Sequence, residues 1–116
     1  MKTKREVPIS RRQGDVLTVV RELPKKLTPL PEENGRVVLA HGEVTGHAHA
    51  FYGKRATLLR ADDTGGGSTF LTVGAGDDLK HEEHSTIHHP PLPEGMGYLV
   101  CRQVEYSPAA LRNVAD

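Results

Sequence analysis

The stretch GEVTGHAHAF, Gly42 to Phe51, alternates in the way an extended chain does. As a strand it puts Val44, Gly46, Ala48 and Ala50 on one side and Thr45, His47, His49 and Phe51 on the other. The small side is thin enough to press against a second sheet. The opposite side holds two imidazoles at i and i+2, with Cα atoms about 6.5 to 7 Å apart. Gly42 breaks the rhythm of the apolar run RVVLAHGE before it, which predicts a bend or bulge between two extended pieces.

The neighbouring segments have the same character. GDVLTVVREL (Gly14 to Leu23) places Val16, Thr18 and Val20 on one face and Leu17 and Val19 on the other. ATLLRA, TFLTVGAG and GYLVCRQVEY are further β-branched or aromatic runs, bounded by Gly, Pro and Asp. Between them lie PKKLTPLPEENG, a proline-rich loop ending in an Asn-Gly turn, the glycine-rich loop DDTGGGS, and the turn PPLPEG. SPAALRNVAD, with Ser107 as N-cap and Pro108 at the first helical position, predicts a short C-terminal helix. Seven or eight short strands and no helix of crossover length predict an all-β fold, a small antiparallel barrel or sandwich. Residues 1–12 form a basic N-terminal arm or an added edge, and 13–116 a single β domain. RRQGDV and CRQVEY echo each other, which predicts that the first and last strands lie close.

Bulk properties narrow the function classes. The chain has 116 residues, enough for one core, and only 36% of them are apolar. Lysine plus arginine equals aspartate plus glutamate at 15 each, so no global field draws in polyanions. Seven histidines would make the chain basic near pH 6 wherever burial or a metal does not hold them neutral. The single cysteine, Cys101, rules out an internal disulfide framework and fits a reducing compartment. No apolar run is long enough for a membrane span, and MKTKREVPISRR lacks the apolar centre of a secretory signal. These features predict a cytoplasmic protein.

The histidines carry the candidate chemistry. His47 and His49 can converge on one ion at about 2.0 to 2.1 Å each, or merely line a solvated strand face. HEEHSTIHH supplies a second group thirty residues on. If it is extended, His84, Thr86 and His88 share one face, and His81, Glu83, Ser85, Ile87 and His89 the other. If His81 to His84 is one helical turn, these two histidines are neighbours. A site between two strands would then take His47, His49 and His84, with His81 or Glu83 assisting. Imidazoles with one carboxylate suit a divalent transition metal (Zn, Fe, Mn or Ni, with Cu also fitting), leaving a position for water. His88 and His89 read as residues preceding the proline turn, and His41 as a core or rim histidine. A metal-free alternative uses two histidines as general acid and base on a phosphodiester, with Arg12, Arg102 or Lys80 stabilising charge; nucleic acid is its substrate.

The series RQGDVL, GEVTGHAHAF, HEEHSTI, a proline-glycine turn and YLVCRQVEY resembles a family of small uncharacterised bacterial proteins over Arg12 to Tyr106. That resemblance implies a bacterial or phage-related source and no particular reaction. GEVTGHAH is also similar to the opening of the first cupin motif, which implies a small barrel with His47 and His49 as metal ligands. Where that motif has a glutamate shortly after its second histidine, this chain has Ala50, Phe51, Tyr52 and Gly53. His84 precedes the PPLPEG turn, whereas the third cupin histidine follows its turn. The expectation is a divalent-metal-binding, cupin-like β protein, with the possibility of enzymatic action on a small molecule. It would self-associate, because edge strands in so small a sheet need covering. The competing expectation is a non-catalytic interaction or accessory module of a bacterial or phage system.

Overall fold

The computed structural model describes residues 10–42, 45–62 and 67–102. The remainder of the basic arm and the C-terminal segment expected to be helical lie outside the described residues. Ten strands and no helix occur among those described: β1 (Ser10–Gln13), β2 (Val16–Glu22), β3 (Leu27–Pro29), β4 (Val37–His41), β5 (Ala48–Phe51), β6 (Thr57–Ala61), β7 (Thr69–Thr72), β8 (Asp77–Lys80), β9 (Ile87–His89) and β10 (Met96–Arg102). They form a six-stranded sheet, β1-β2-β10-β7-β6-β3, and a four-stranded sheet, β4-β5-β8-β9. Every pairing is antiparallel. The all-β reading therefore holds, as two packed antiparallel sheets.

Local sequence explains most of the elements. Asn34 and Gly35 both have positive φ, 55° and 78°, and the bridge Glu33–Arg36 closes around them. This is the two-residue turn whose twist suits a hairpin. The end of the basic arm forms the added edge: Ser10–Gln13 pairs with β2. β10 lies along β2 over its full length, from Met96 opposite Glu22 to Arg102 opposite Val16, as the Arg-Gln echo suggested. Two details differ from the sequence reading. The register shift falls inside β4, between Val38 and Ala40, rather than at Gly42, whose N–H instead donates to His47 O at 2.8 Å. The proline-rich loop also contains β3, which pairs with β6. Pro29 is accommodated because β3 is the outermost strand of its sheet and needs no second partner.

The main core draws on both sheets: Val16, Leu71 and Tyr98 from one, Val37, Phe51 and Leu79 from the other. A histidine sits at its centre. His89 is fully buried, its ring edge-on to Phe51 at 5.3 Å and to Tyr98 at 4.8 Å between centroids. Its Nδ1–H donates to Ile87 O at 3.2 Å, so Nε2 accepts the Thr18 hydroxyl at 2.7 Å. Thr18 is on β2 and His89 on β9, so this bond joins the two sheets. The sequence reading had assigned His89 to the approach of a turn. His88, on the other face, is exposed and pairs with Asp78 at 2.7 Å.

One edge of the sandwich positions the histidine cluster. Gln13, on edge strand β1, is 2% exposed and reaches across to the other sheet. Its Nε2 donates to Leu79 O at 2.8 Å and Ser85 O at 2.9 Å. Arg11 Nε reinforces the closure by donating to His88 O at 3.0 Å.

Candidate metal centre

Three chain segments meet at this closed edge: the β1–β2 turn, the residues entering β5, and the turn between β8 and β9. β5 is buried along its whole length. Ala48 and Ala50 pack on Val38 in a small outer cluster, while Phe51 enters the main core. His49, on the Phe51 face, is 3% exposed and points at Gln13. His47 precedes the strand and remains partly open at 24% exposure. His81 and His84 come from the turn after β8, which is neither strand nor helix. The four rings form one group. Centroid separations are 4.3 Å for His49–His81, 4.7 Å for His81–His84, 5.7 Å for His47–His81 and 6.0 Å for His49–His84. Gly14 allows this closeness: a Cβ there would lie 2.7 Å from His84 Nε2 and 3.3 Å from His49 Cε1.

Hydrogen bonding fixes the proton on several of these rings. The two hydrogens of the Gln13 amide nitrogen are used by the carbonyls of Leu79 and Ser85, so Gln13 Oε1 must be an acceptor. It lies 2.8 Å from His49 Nδ1, which therefore carries hydrogen and leaves Nε2 with a lone pair. An outer partner that holds one ring nitrogen and frees the other is the usual arrangement behind a metal-bound histidine. Glu83 Oε2, 3.5 Å from His47 Nδ1, favours the same tautomer there. His81 differs. Its Nδ1 accepts the Glu83 N–H at 3.0 Å, which puts the neutral ring's hydrogen on Nε2. Ligation through His81 Nε2 requires this contact to be given up.

Charges around the rings are mixed. Burial holds His49 below the usual imidazole range, helped by His81, opposed by Asp15, and helped further by His84 and Arg102. Burial works to raise the Asp15 carboxyl, yet the Arg102 guanidinium, 2.8 Å away, leaves it lowered overall. Glu82 is lowered chiefly because the Ala48 N–H donates to its Oε1 at 3.0 Å.

His47, His81 and Glu82 each offer a donor atom, and these atoms lie within 4.8 Å of one another. Ligands on a tetrahedral ion with bonds of about 2.0 to 2.1 Å stand about 3.3 Å apart, so the trio has to close slightly to hold one. The sequence reading took His47, His49 and His84 as ligands with His81 or Glu83 assisting; the donor atoms that converge are those of His47, His81 and Glu82, with Glu83 set behind His47. His49 and His84 belong to the same group of rings but lie outside this trio. Gln13, Asp15 and Glu82 were not anticipated. His41 stands apart, paired with Glu33 at 2.9 Å. Of the candidate cations for phosphodiester chemistry, Arg102 is committed to Asp15, Arg12 Nε donates to Gly14 O at 3.2 Å, and Lys80 is exposed at the end of β8.

Fold and site together define a two-sheet antiparallel domain with a histidine–carboxylate cluster at one closed edge. The domain of unknown function DUF8820 matches residues 12–103, and the chain belongs to that family. No curated protein and no solved structure matches it.

Proposed function

We propose that the protein binds a divalent transition metal, Zn, Fe, Mn or Ni, at the histidine cluster. The observation that carries this reading is the convergence of donor atoms from His47, His81 and Glu82, set next to a His49 whose free nitrogen is fixed by Gln13. Two imidazoles and a carboxylate leave a fourth position on the ion, where water or an oxygen of a small molecule can bind. The exposure of Glu82, Glu83 and His84 supports a position open to the surface. The cupin likeness of GEVTGHAH, a cytoplasmic bacterial setting and self-association through uncovered sheet edges belong to the same reading, and the reaction, if there is one, uses the open position.

Metal analysis of protein purified without a histidine tag tests it. We expect near-stoichiometric metal in the wild type and its loss in His47→Ala/His81→Ala. Absence of metal from wild-type protein even after incubation with each ion would overturn the reading and leave a non-catalytic interaction module.

A further inference from the structure

Strand register lines up one residue from every strand of the six-stranded sheet. Ser10, Val19, Leu99, Phe70, Leu59 and Pro29 stand opposite one another in turn, from β1 through β2, β10, β7 and β6 to β3. The middle four are apolar. Alternation fixes their direction: Val16, Tyr98 and Leu71 belong to the main core and Leu58 packs against it, so Val19, Leu99, Phe70 and Leu59 project from the opposite face. None of these four belongs to either cluster of core side chains among the described residues. Leu17 and Cys101, paired with each other on the same face, extend the apolar surface by a second row that ends at Arg12.

The strands at the middle of this sheet are therefore apolar on both faces. An antiparallel sheet with one wet face alternates apolar and polar residues, whereas a strand covered on both sides does not. The smaller sheet behaves in the first way, since Asp78, Lys80 and His88 project from its outer face. The larger sheet behaves in the second, although the smaller one packs on its inner face alone. On the outer face Leu17, Val19, Leu59 and Leu99 are half-buried, and Phe70 is 7% exposed between Leu99 and Leu59.

Size and charge point to what fits there. Six strands about 4.8 Å apart and up to seven residues long give a face of about 25 by 20 Å. That is about 500 Å² per copy in projection, and side-chain relief adds to it, so two copies bury more than about 1,000 Å², the level a specific interface needs. The row itself is uncharged, with Arg12 and Arg21 at its margin, so it lacks the cations a polyanion would need. Lysine plus arginine balances aspartate plus glutamate at 15 each, so no net repulsion separates two copies. A flat apolar row is complementary to itself across a twofold axis.

We propose that the chain forms a homodimer in which the outer faces of two six-stranded sheets pack on each other through Val19, Leu99, Phe70 and Leu59. Face-to-face sheets of this kind stand about 10 Å apart with their strands within about 30° of one another. The proposal takes up the self-association of the reading above and assigns it to a face instead of to the edges. It is independent of the metal, because His47, His81 and Glu82 flank strands of the other sheet.

Sedimentation equilibrium of tag-free full-length protein, with and without zinc, tests it, with circular dichroism confirming the fold of each variant. We expect a dimer at micromolar concentration with or without zinc. In Val19→Lys and Leu59→Lys the dissociation constant should rise about a hundredfold or more, because the twofold axis places two lysines in each interface. Thr57→Arg, at an exposed position on the same face, should raise it about tenfold without endangering the core. Zinc content should be the same in these variants as in the wild type, so failure of the interface and failure of the metal site read out separately. A wild-type protein that stays monomeric to about 200 µM would overturn the proposal and leave the face to this chain's own remaining residues or to another protein. A dimer that persists unchanged in every folded variant would overturn it in favour of the sheet edges.

Discussion

Acidification should weaken the fold through His89, and the size of the effect follows from its surroundings. The ring is fully buried between Phe51 and Tyr98, and burial pushes its pKa down to about 4 against the accepting Ile87 carbonyl, which favours the charged form. In the unfolded chain the same ring titrates near about 6.5. Above that value both states are neutral and pH has no influence through this residue. Between the two values the unfolded chain binds a proton that the folded chain refuses, so stability falls as pH drops. At about 1.36 kcal/mol per unit, the loss approaches about 3 kcal/mol by pH 4 and then levels off. That is a large share of the roughly 5 to 15 kcal/mol that holds a domain together.

His49 is shifted in the same direction and also contributes to the wild-type curve, so the decisive quantity is a difference between proteins. Urea unfolding at half-unit steps from pH 7.5 to 4 should be run on the wild type and on His89→Gln, whose amide oxygen can still accept the Thr18 hydroxyl. The variant is expected to be less stable at neutral pH because its shape fits the ring's slot poorly. Its stability should fall less steeply with acid, and the two curves should converge by about 3 kcal/mol between pH 6.5 and 4. Parallel curves would refute the argument, because they would mean that His89 takes up its proton equally in the folded and unfolded chains.

The closed edge gives two further expectations. Gln13→Ala removes the partner of the Leu79 and Ser85 carbonyls and of His49 Nδ1. It should cost about 2 to 4 kcal/mol in urea unfolding at pH 7, and a loss below about 1 kcal/mol would show that water replaces Gln13 without penalty. Gly14→Ala forces a side chain onto a backbone with φ of +58° and into His84 Nε2. It should lower stability by about 1 kcal/mol or more and weaken zinc binding in competition with a chromophoric chelator; unchanged affinity would detach the β1–β2 turn from the site.

The β architecture was legible because its signals are local. Alternation in Val16–Val20 and Ala48–Phe51, and Asn-Gly at 34–35, each specify their own backbone without help from the rest of the chain. β3 escaped because Leu27–Pro29 looks like loop by composition, and its strand character comes only from pairing with Thr57–Ala61. The histidine cluster was partly legible. His47, His49 and His84 were named from spacing, with His81 or Glu83 assisting, but strand faces do not apply to HEEH once it is a turn, and the donor atoms that converge are those of His47, His81 and Glu82. Gln13 and Asp15 have no periodic signature; they matter because the β1–β2 turn arrives there in three dimensions. His89 did carry a signal, since Ile87 and His89 share a strand face and an apolar neighbour at i−2 points such a face inward.

The same residues close the sandwich and orient the rings of the histidine cluster, so under the proposed metal-binding function folding and binding would be parts of one equilibrium. Gln13 donates across to the second sheet through the very amide whose oxygen orders His49. Asp15 joins the β1–β2 turn to the end of β10 through Arg102 while its other oxygen faces His49. An ion held at the cluster would stabilise the docked β1–β2 hairpin, and at a free concentration about a hundredfold above its dissociation constant it would add about 2.7 kcal/mol. Opening of the edge strand would in turn release His49 from its tautomer and Asp15 from its orientation. Among the described residues β1 pairs with β2, and Arg11 and Gln13 carry polar contacts from it to the second sheet. An edge strand tied to the cluster through Gln13 is an element whose docking a bound ion would shift.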